Sequence, residues 1–245
     1  MRLSLMMGFV LAFAVLPGCK KKYTDPNYVP IAEAQARAAQ FEPVLAIVKK
    51  LSAVPPPVTK TFAPTDALIS TTSRAGQEPS PEEFLLVHTE DLVAPDYYNG
   101  AGPKVRIEGS GRLSGCTKGT TEARTSKEEK VHKYALLACT KFKYIYVIRE
   151  TDYLQPKTRT VSDTTTDHKR TIIDDLIPGH VNADVTIYSA TDGKQVGAFQ
   201  FRAVSSSQPS LEGGFVGAVD RDLVKQANDA IVNALSSART GVSAA

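Results

Sequence analysis

Between residues 31 and 48, apolar side chains recur at Ile31, Ala34, Ala38, Phe41, Leu45 and Val48. Steps of three and four keep one face of a 3.6-residue helix apolar, so this stretch predicts an amphipathic helix. Pro43 lies inside it, lacks an N–H and crowds the preceding turn, and so predicts a kink or restart near Glu42. Pro55, Pro56 and Pro57 close the segment. Further on the period shortens, and residues 58–62, 67–71, 84–89 and 104–108 read as short strands. Ser126 and Glu129 form a capping-box pattern that predicts a helix carrying Val131, Tyr134, Ala135 and Ala138. Residues 142–150 are the clearest strand. Phe142, Tyr144, Tyr146 and Ile148 share one face and Ile145 and Val147 the other, which predicts an interior place in a sheet. Residues 181–188 and 196–205, joined through Asp192-Gly193, predict a β-hairpin whose inward sets are Val181, Ala183, Val185 and Ile187 against Phe199, Phe201 and Ala203. Val224, Ala227, Ile231, Ala234 and Leu235 stripe a closing helix over residues 220–238.

Runs of strands between segregated helices predict an α+β fold, mainly an antiparallel sheet with a kinked N-terminal helix and a C-terminal amphipathic helix. The expected organisation is a signal peptide at 1–18, a lipidated tether at 19–30, a helical segment at 31–57, a globular domain at 58–238 and a tail at 239–245. The formal charge of +3 loses its meaning once the chain is divided at residue 19. Arg2 falls before it, Lys20, Lys21 and Lys22 directly follow it, and the body beyond carries 25 basic against 26 acidic residues. No nucleic-acid footprint is left. Met1, Met6 and Met7 also precede Cys19, and tryptophan is absent.

The N-terminus has a short positive region at Arg2 and a 12-residue apolar run at 5–16, the length of a signal-peptide core and too short for a bilayer-spanning helix. It ends in Leu16-Pro17-Gly18-Cys19, which resembles the lipobox of bacterial lipoproteins: aliphatic at −3, small at −1, then cysteine. Pro17 departs from the usual −2 residue. The resemblance implies a thioether from Cys19 to diacylglycerol, cleavage before Cys19 and acylation of its amine by a palmitate-type chain. Two or more such chains hold a protein stably on a membrane, at about 0.8 kcal/mol per buried methylene. Lys20 stands where the familiar enteric sorting rule places Asp for inner-membrane retention, which implies the periplasmic face of the outer membrane. Residues 142–238 are also similar in element order to the small α+β domains of the outer-membrane activators of penicillin-binding proteins. Their shared motifs are generic to hairpins and helices, so no functional residue is carried over.

Cys116 and Cys139 are the two thiols left if Cys19 is lipidated, and an even pair in an oxidising compartment predicts a disulfide, with two buried free thiols as the alternative. A catalytic cysteine paired with His132 lacks any activating neighbour in the sequence. Gly109, Gly111 and Gly115 nearly match a dinucleotide loop, but the third glycine is one residue late and no helix with an acidic partner is expected after it. Asp163, Asp167, His168, Asp174, Asp175 and His180 gather potential ligands within 18 residues without EF-hand or zinc spacing, so a solvated loop is the expectation and no metal is assigned. His88 reads as a strand-end residue. No catalytic residue and no cofactor are assigned. The expectation is a lipid-anchored envelope protein, a non-catalytic binding or assembly component with an envelope protein or the cell wall as partner; the alternative is an envelope hydrolase whose carboxylates converge only in the fold.

Overall fold

The structure, a computed structural model, describes residues 28–69, 84–93, 103–107, 109–132, 139, 142–163, 170–206 and 215–241. The signal-peptide and tether expectations for residues 1–27 lie outside them.

A four-stranded mixed sheet organises the protein, in the order β2 (Phe84–His88), β4 (Tyr144–Leu154), β7 (His180–Ser189), β8 (Gln195–Val204). β2 runs parallel to β4, and the other neighbours are antiparallel. The α+β class is therefore as expected, though the main sheet is not purely antiparallel. β4 occupies the predicted interior position. Its two apolar faces serve two separate cores. Tyr144, Tyr146 and Ile148 join Val181, Ala183, Val185, Ile187, Phe199, Phe201 and Ala203 under the C-terminal helix α4 (Phe215–Thr240). Ile145 and Val147 join Leu85 and Val87 under α1 (Ile31–Val48) and α3 (Arg112–Thr125). The predicted inward sets of the hairpin are thus buried together. Phe142 departs from expectation: it packs edge-on against Phe41 in the second core, because the strand begins only at Tyr144 and alternation does not reach back to residue 142.

The β7–β8 turn follows from its residues. Gly193 adopts φ +72°, which only glycine takes without strain, and its N–H donates to Ser189 O at 2.9 Å. Asp192 accepts from the Lys194 N–H at 3.2 Å and pairs with the Lys194 ammonium at 3.0 Å. The remaining strands form two ribbons. One pairs β1 (Tyr28–Pro30) with β3 (Lys130–His132), and the other pairs β5 (Lys157–Asp163) with β6 (Arg170–Ile177). A one-turn helix α2 (Thr89–Val93) follows β2.

Several sequence expectations are corrected. Pro43 does not restart α1, which is continuous from Ile31 to Val48 with Phe41 and Val44 buried on either side of the proline. The Ser126/Glu129 pattern ends a helix instead of starting one: the Ser126 N–H donates to Glu122 O at 2.8 Å as the C-cap of α3, and its hydroxyl accepts from the Glu128 N–H. Val131 then lies in β3, while Tyr134, Ala135 and Ala138 lie outside the described residues. Residues 104–107 are not a strand. Val105 and Ile107 are buried as their alternation implies, but the N–H groups of Lys104 and Val105 donate to the Glu150 carboxylate at 3.0 and 2.8 Å. Residues 58–62 form no strand beyond a single bridge between Phe62 and Ala198, and 67–69 follow a turn in which the Ala67 N–H donates to Pro64 O.

Helix α3 was not legible from hydropathy. Its sequence is rich in threonine and glycine, yet Leu113, Cys116, Gly119, Thr120 and Ala123 bury one face at helical spacing against α1. Thr117, Thr121 and Thr125 turn their hydroxyls inward on the helix itself, each donating to the carbonyl four residues back at 2.8–2.9 Å. Cys116 and Cys139 are disulfide-bonded with Cα atoms 5.3 Å apart, inside the second core.

Candidate functional site

The residues singled out in the sequence are scattered. Cys19 and its lysines lie outside the described residues. Cys116 is consumed in the disulfide, so it offers no thiolate for a cysteine–histidine pair. The Gly109–Gly115 stretch leads into α3, but among the described residues no strand directly precedes it, and the dinucleotide motif requires one. In the β5–β6 ribbon, Asp163 stands opposite Arg170 and Asp175 opposite Arg159 in backbone register. Asp167 and His168 fall outside the described residues. Among the described residues no group of three or more His, Cys, Asp or Glu side chains is placed to hold a metal ion.

The sheet instead brings together polar residues that the hairpin pattern left on its other face. Strands β4, β7 and β8 place Thr186 and Asp184, then Asn182 and His180, beside Ala198, Gln200, Arg202 and Val204. Asp184 is almost fully buried, and its charge is met by the Arg149 guanidinium, by Gln200 Nε2 at 2.8 Å and by the Val58 N–H at 3.4 Å. Arg149 also donates to Pro55 O at 3.1 Å. These bonds make residues 55–62 a strap. It crosses the face from β4 to β8 and ends where Phe62 and Ala198 exchange two backbone bonds of 2.8 and 2.7 Å. Proline-rich chain suits this path, because its few N–H groups need few partners.

Past the strap the face is open. His180 Nε2 lies 2.8 Å from Asp152, which also accepts from Asn182 at 3.2 Å; hydrogen bonding from His180 holds the exposed Asp152 carboxyl below its usual range. This orients an imidazole, but the nearby Thr151 hydroxyl donates to Asn182 O at 3.1 Å and is engaged away from the ring. Along β8 runs an open groove of about 660 Å³. Asn182, Gln200 and Arg202 line one side of it and Ala230, Asn233 and Ala234 of α4 the other.

A second polar cluster is buried at the end of β2. His88 is fully inaccessible, and neither ring nitrogen has a hydrogen-bond partner among the described residues. Burial, assisted by the charge of Arg106, pushes its pKa down to about 3. Arg106 lies 3.8 Å from Asp91. Burial raises the Asp91 carboxyl against the opposing pull of Arg106, and burial likewise raises Glu150 despite its two backbone hydrogen bonds.

Sequence reasoning assigned no role to Asp184, Arg149, Gln200 or Arg202. One signal was available: residues 182, 184 and 186 interrupt an otherwise apolar run with polar side chains on a single face. Compared with known proteins, the chain matches no family model, no curated protein and no solved structure.

Proposed function

We propose that the protein is a lipid-anchored component of the bacterial cell envelope that binds a partner at the groove along β8. The groove carries the reading: about 660 Å³, open, lined on one side by amides, the Arg202 guanidinium and the Asp184 carboxylate already paired with Arg149, and on the other by Asn233 and the small residues Ala230 and Ala234. Amides and a cation are suited to orienting a polar partner, and the small residues of α4 leave room for its side chains. The lipobox-like Leu16-Pro17-Gly18-Cys19 supports the anchor, with Lys20 favouring the periplasmic face of the outer membrane. The Cys116–Cys139 disulfide supports an oxidising, extracytoplasmic compartment. The partner on this reading is an envelope protein or the cell wall, and the membrane contact is made through Cys19. Blocking lipoprotein signal peptidase with globomycin, or replacing Cys19→Ala, is expected to accumulate an unprocessed or unanchored form. An unchanged mature mass together with unchanged membrane partition would sink the anchor. Crosslinking in intact envelopes through a photoreactive residue at position 233 is expected to capture a partner that the same residue at position 118, on α3, does not.

A further inference from the structure

We infer that the free edge of β8 takes up an acidic, extended segment of another polypeptide as an additional strand. This deepens the proposed binding role of the groove and rests on it. β8 ends the sheet order, with β7 as its only strand neighbour among the described residues. Phe62 shows how the outer edge bonds: Ala198 both donates to it and accepts from it. Alternation then points the N–H and C=O groups of Gln200, Arg202 and Val204 outward in the same way. No described residue bonds them. The strap therefore occupies one position of the edge, and the next three have no backbone partner among the described residues.

Charge selects the occupant. Arg202 projects beside that edge with no carboxylate partner among the described residues, on a face where Asp152 is already held by His180 and Asn182, and Asp184 by Arg149 and Gln200. A second copy of this chain fits poorly. Any two-fold antiparallel pairing centred on residues 201–203 sets two Arg202 side chains directly or diagonally opposite on one face, where like charges repel. An acidic strand reverses that sign. Its alternate residues would face Arg202 and Gln200 on one side and the small residues Ala230 and Ala234 on the other, so the geometry favours alternating acidic and aliphatic side chains.

The test uses the full chain and fluorescein-labelled octapeptides of alternating glutamate and valine, alternating lysine and valine, and the glutamate peptide N-methylated at every second residue. The glutamate peptide is expected to bind at least tenfold more tightly than either of the others in fluorescence anisotropy, and to slow amide exchange at Gln200 and Arg202. Arg202→Glu should invert the preference between the two charged peptides, while Arg202→Gln should abolish it; a far-UV circular dichroism spectrum matching wild type checks that both fold. No binding of any peptide, equal binding of all three, or a preference unchanged in Arg202→Glu would overturn strand addition. Binding of soluble cell-wall glycan with protection elsewhere than β8 would also overturn it. Such a result leaves the anchored binding role standing, because the Cys19 and position-233 experiments read that role independently.

Discussion

Replacing His88 with leucine tests whether the second polar cluster is dry. The imidazole is fully buried at the end of β2, with no partner for either nitrogen among the described residues. Its folded pKa of about 3 compares with the ordinary 6.5, so the folded protein resists a proton that the unfolded chain accepts. Stability from this group is complete above about pH 6.5 and is lost as pH falls, until it levels off near pH 3. At about 1.36 kcal/mol per pH unit, the loss between pH 7 and pH 4 is about 3 kcal/mol. Other groups titrate over the same range with both signs. Asp66, Asp152 and Asp192, lowered by hydrogen bonds from Lys143, His180 and Lys194 respectively, also lose stability as pH falls. Asp91 and Glu150, raised by burial, gain it. The comparison must therefore be the difference between wild type and His88→Leu, in which those terms cancel. At pH 7 the variant should match wild type or exceed it by about 1 kcal/mol, because an unsatisfied buried polar group has been exchanged for an apolar one of similar size. By pH 4 its advantage should have grown by about 3 kcal/mol. Urea unfolding followed by far-UV circular dichroism measures this without tryptophan, which the chain lacks. A difference constant within about 0.5 kcal/mol from pH 7 to pH 4 would refute the dry, neutral imidazole.

Two further predictions concern the bonds that hold the layers. Arg149→Met should destabilise the fold by about 3–5 kcal/mol, since it leaves the buried Asp184 carboxylate without its cation; adding Asp184→Asn should recover part of the loss, and additive losses in a urea double-mutant cycle would contradict the pairing. Replacing both Cys116 and Cys139 with serine should lower stability by about 3 kcal/mol for a cross-link spanning a sequence separation of 23. Thiol labelling of the unreduced, denatured protein should find neither cysteine free, and labelling of both would refute the bond.

What could be read from the sequence was what is decided locally. The hairpin at Asp192-Gly193 needs only a turn and two alternating flanks. The stripe on α4 needs only 3.6-residue spacing, and residues 144–148 declared an interior strand by being apolar on both faces. The failures share a different cause. Helix α3 builds its buried face from Leu113 and Ala123 with Cys116, Gly119 and Thr120 between them, a weakly apolar stripe that becomes a close-packing surface only against α1. The backbone amides of Lys104 and Val105 found a carboxylate 46 and 45 residues away instead of a neighbouring strand. The site is the extreme case: Val58 and Asp184 are 126 residues apart, so neither announces the other.

The location of the groove follows from the composition of one sheet face. On the side of α1 and α3, β2 and β4 present Leu85, Val87, Ile145 and Val147, which must be covered to be removed from water. The same face continues across β7 and β8 as Thr186, Asp184, Asn182, Gln200 and Arg202, where apolar cover would strand polar groups. Two helices over the apolar half, a strap satisfying Asp184 at the boundary and a polar end that no helix covers among the described residues are the arrangement that meets both demands. Folding energy alone would be served better by extending the apolar face across β8. Amides, a guanidinium with no carboxylate partner among the described residues and a strand edge bonded there only at Ala198 thus lie side by side where apolar burial is given up.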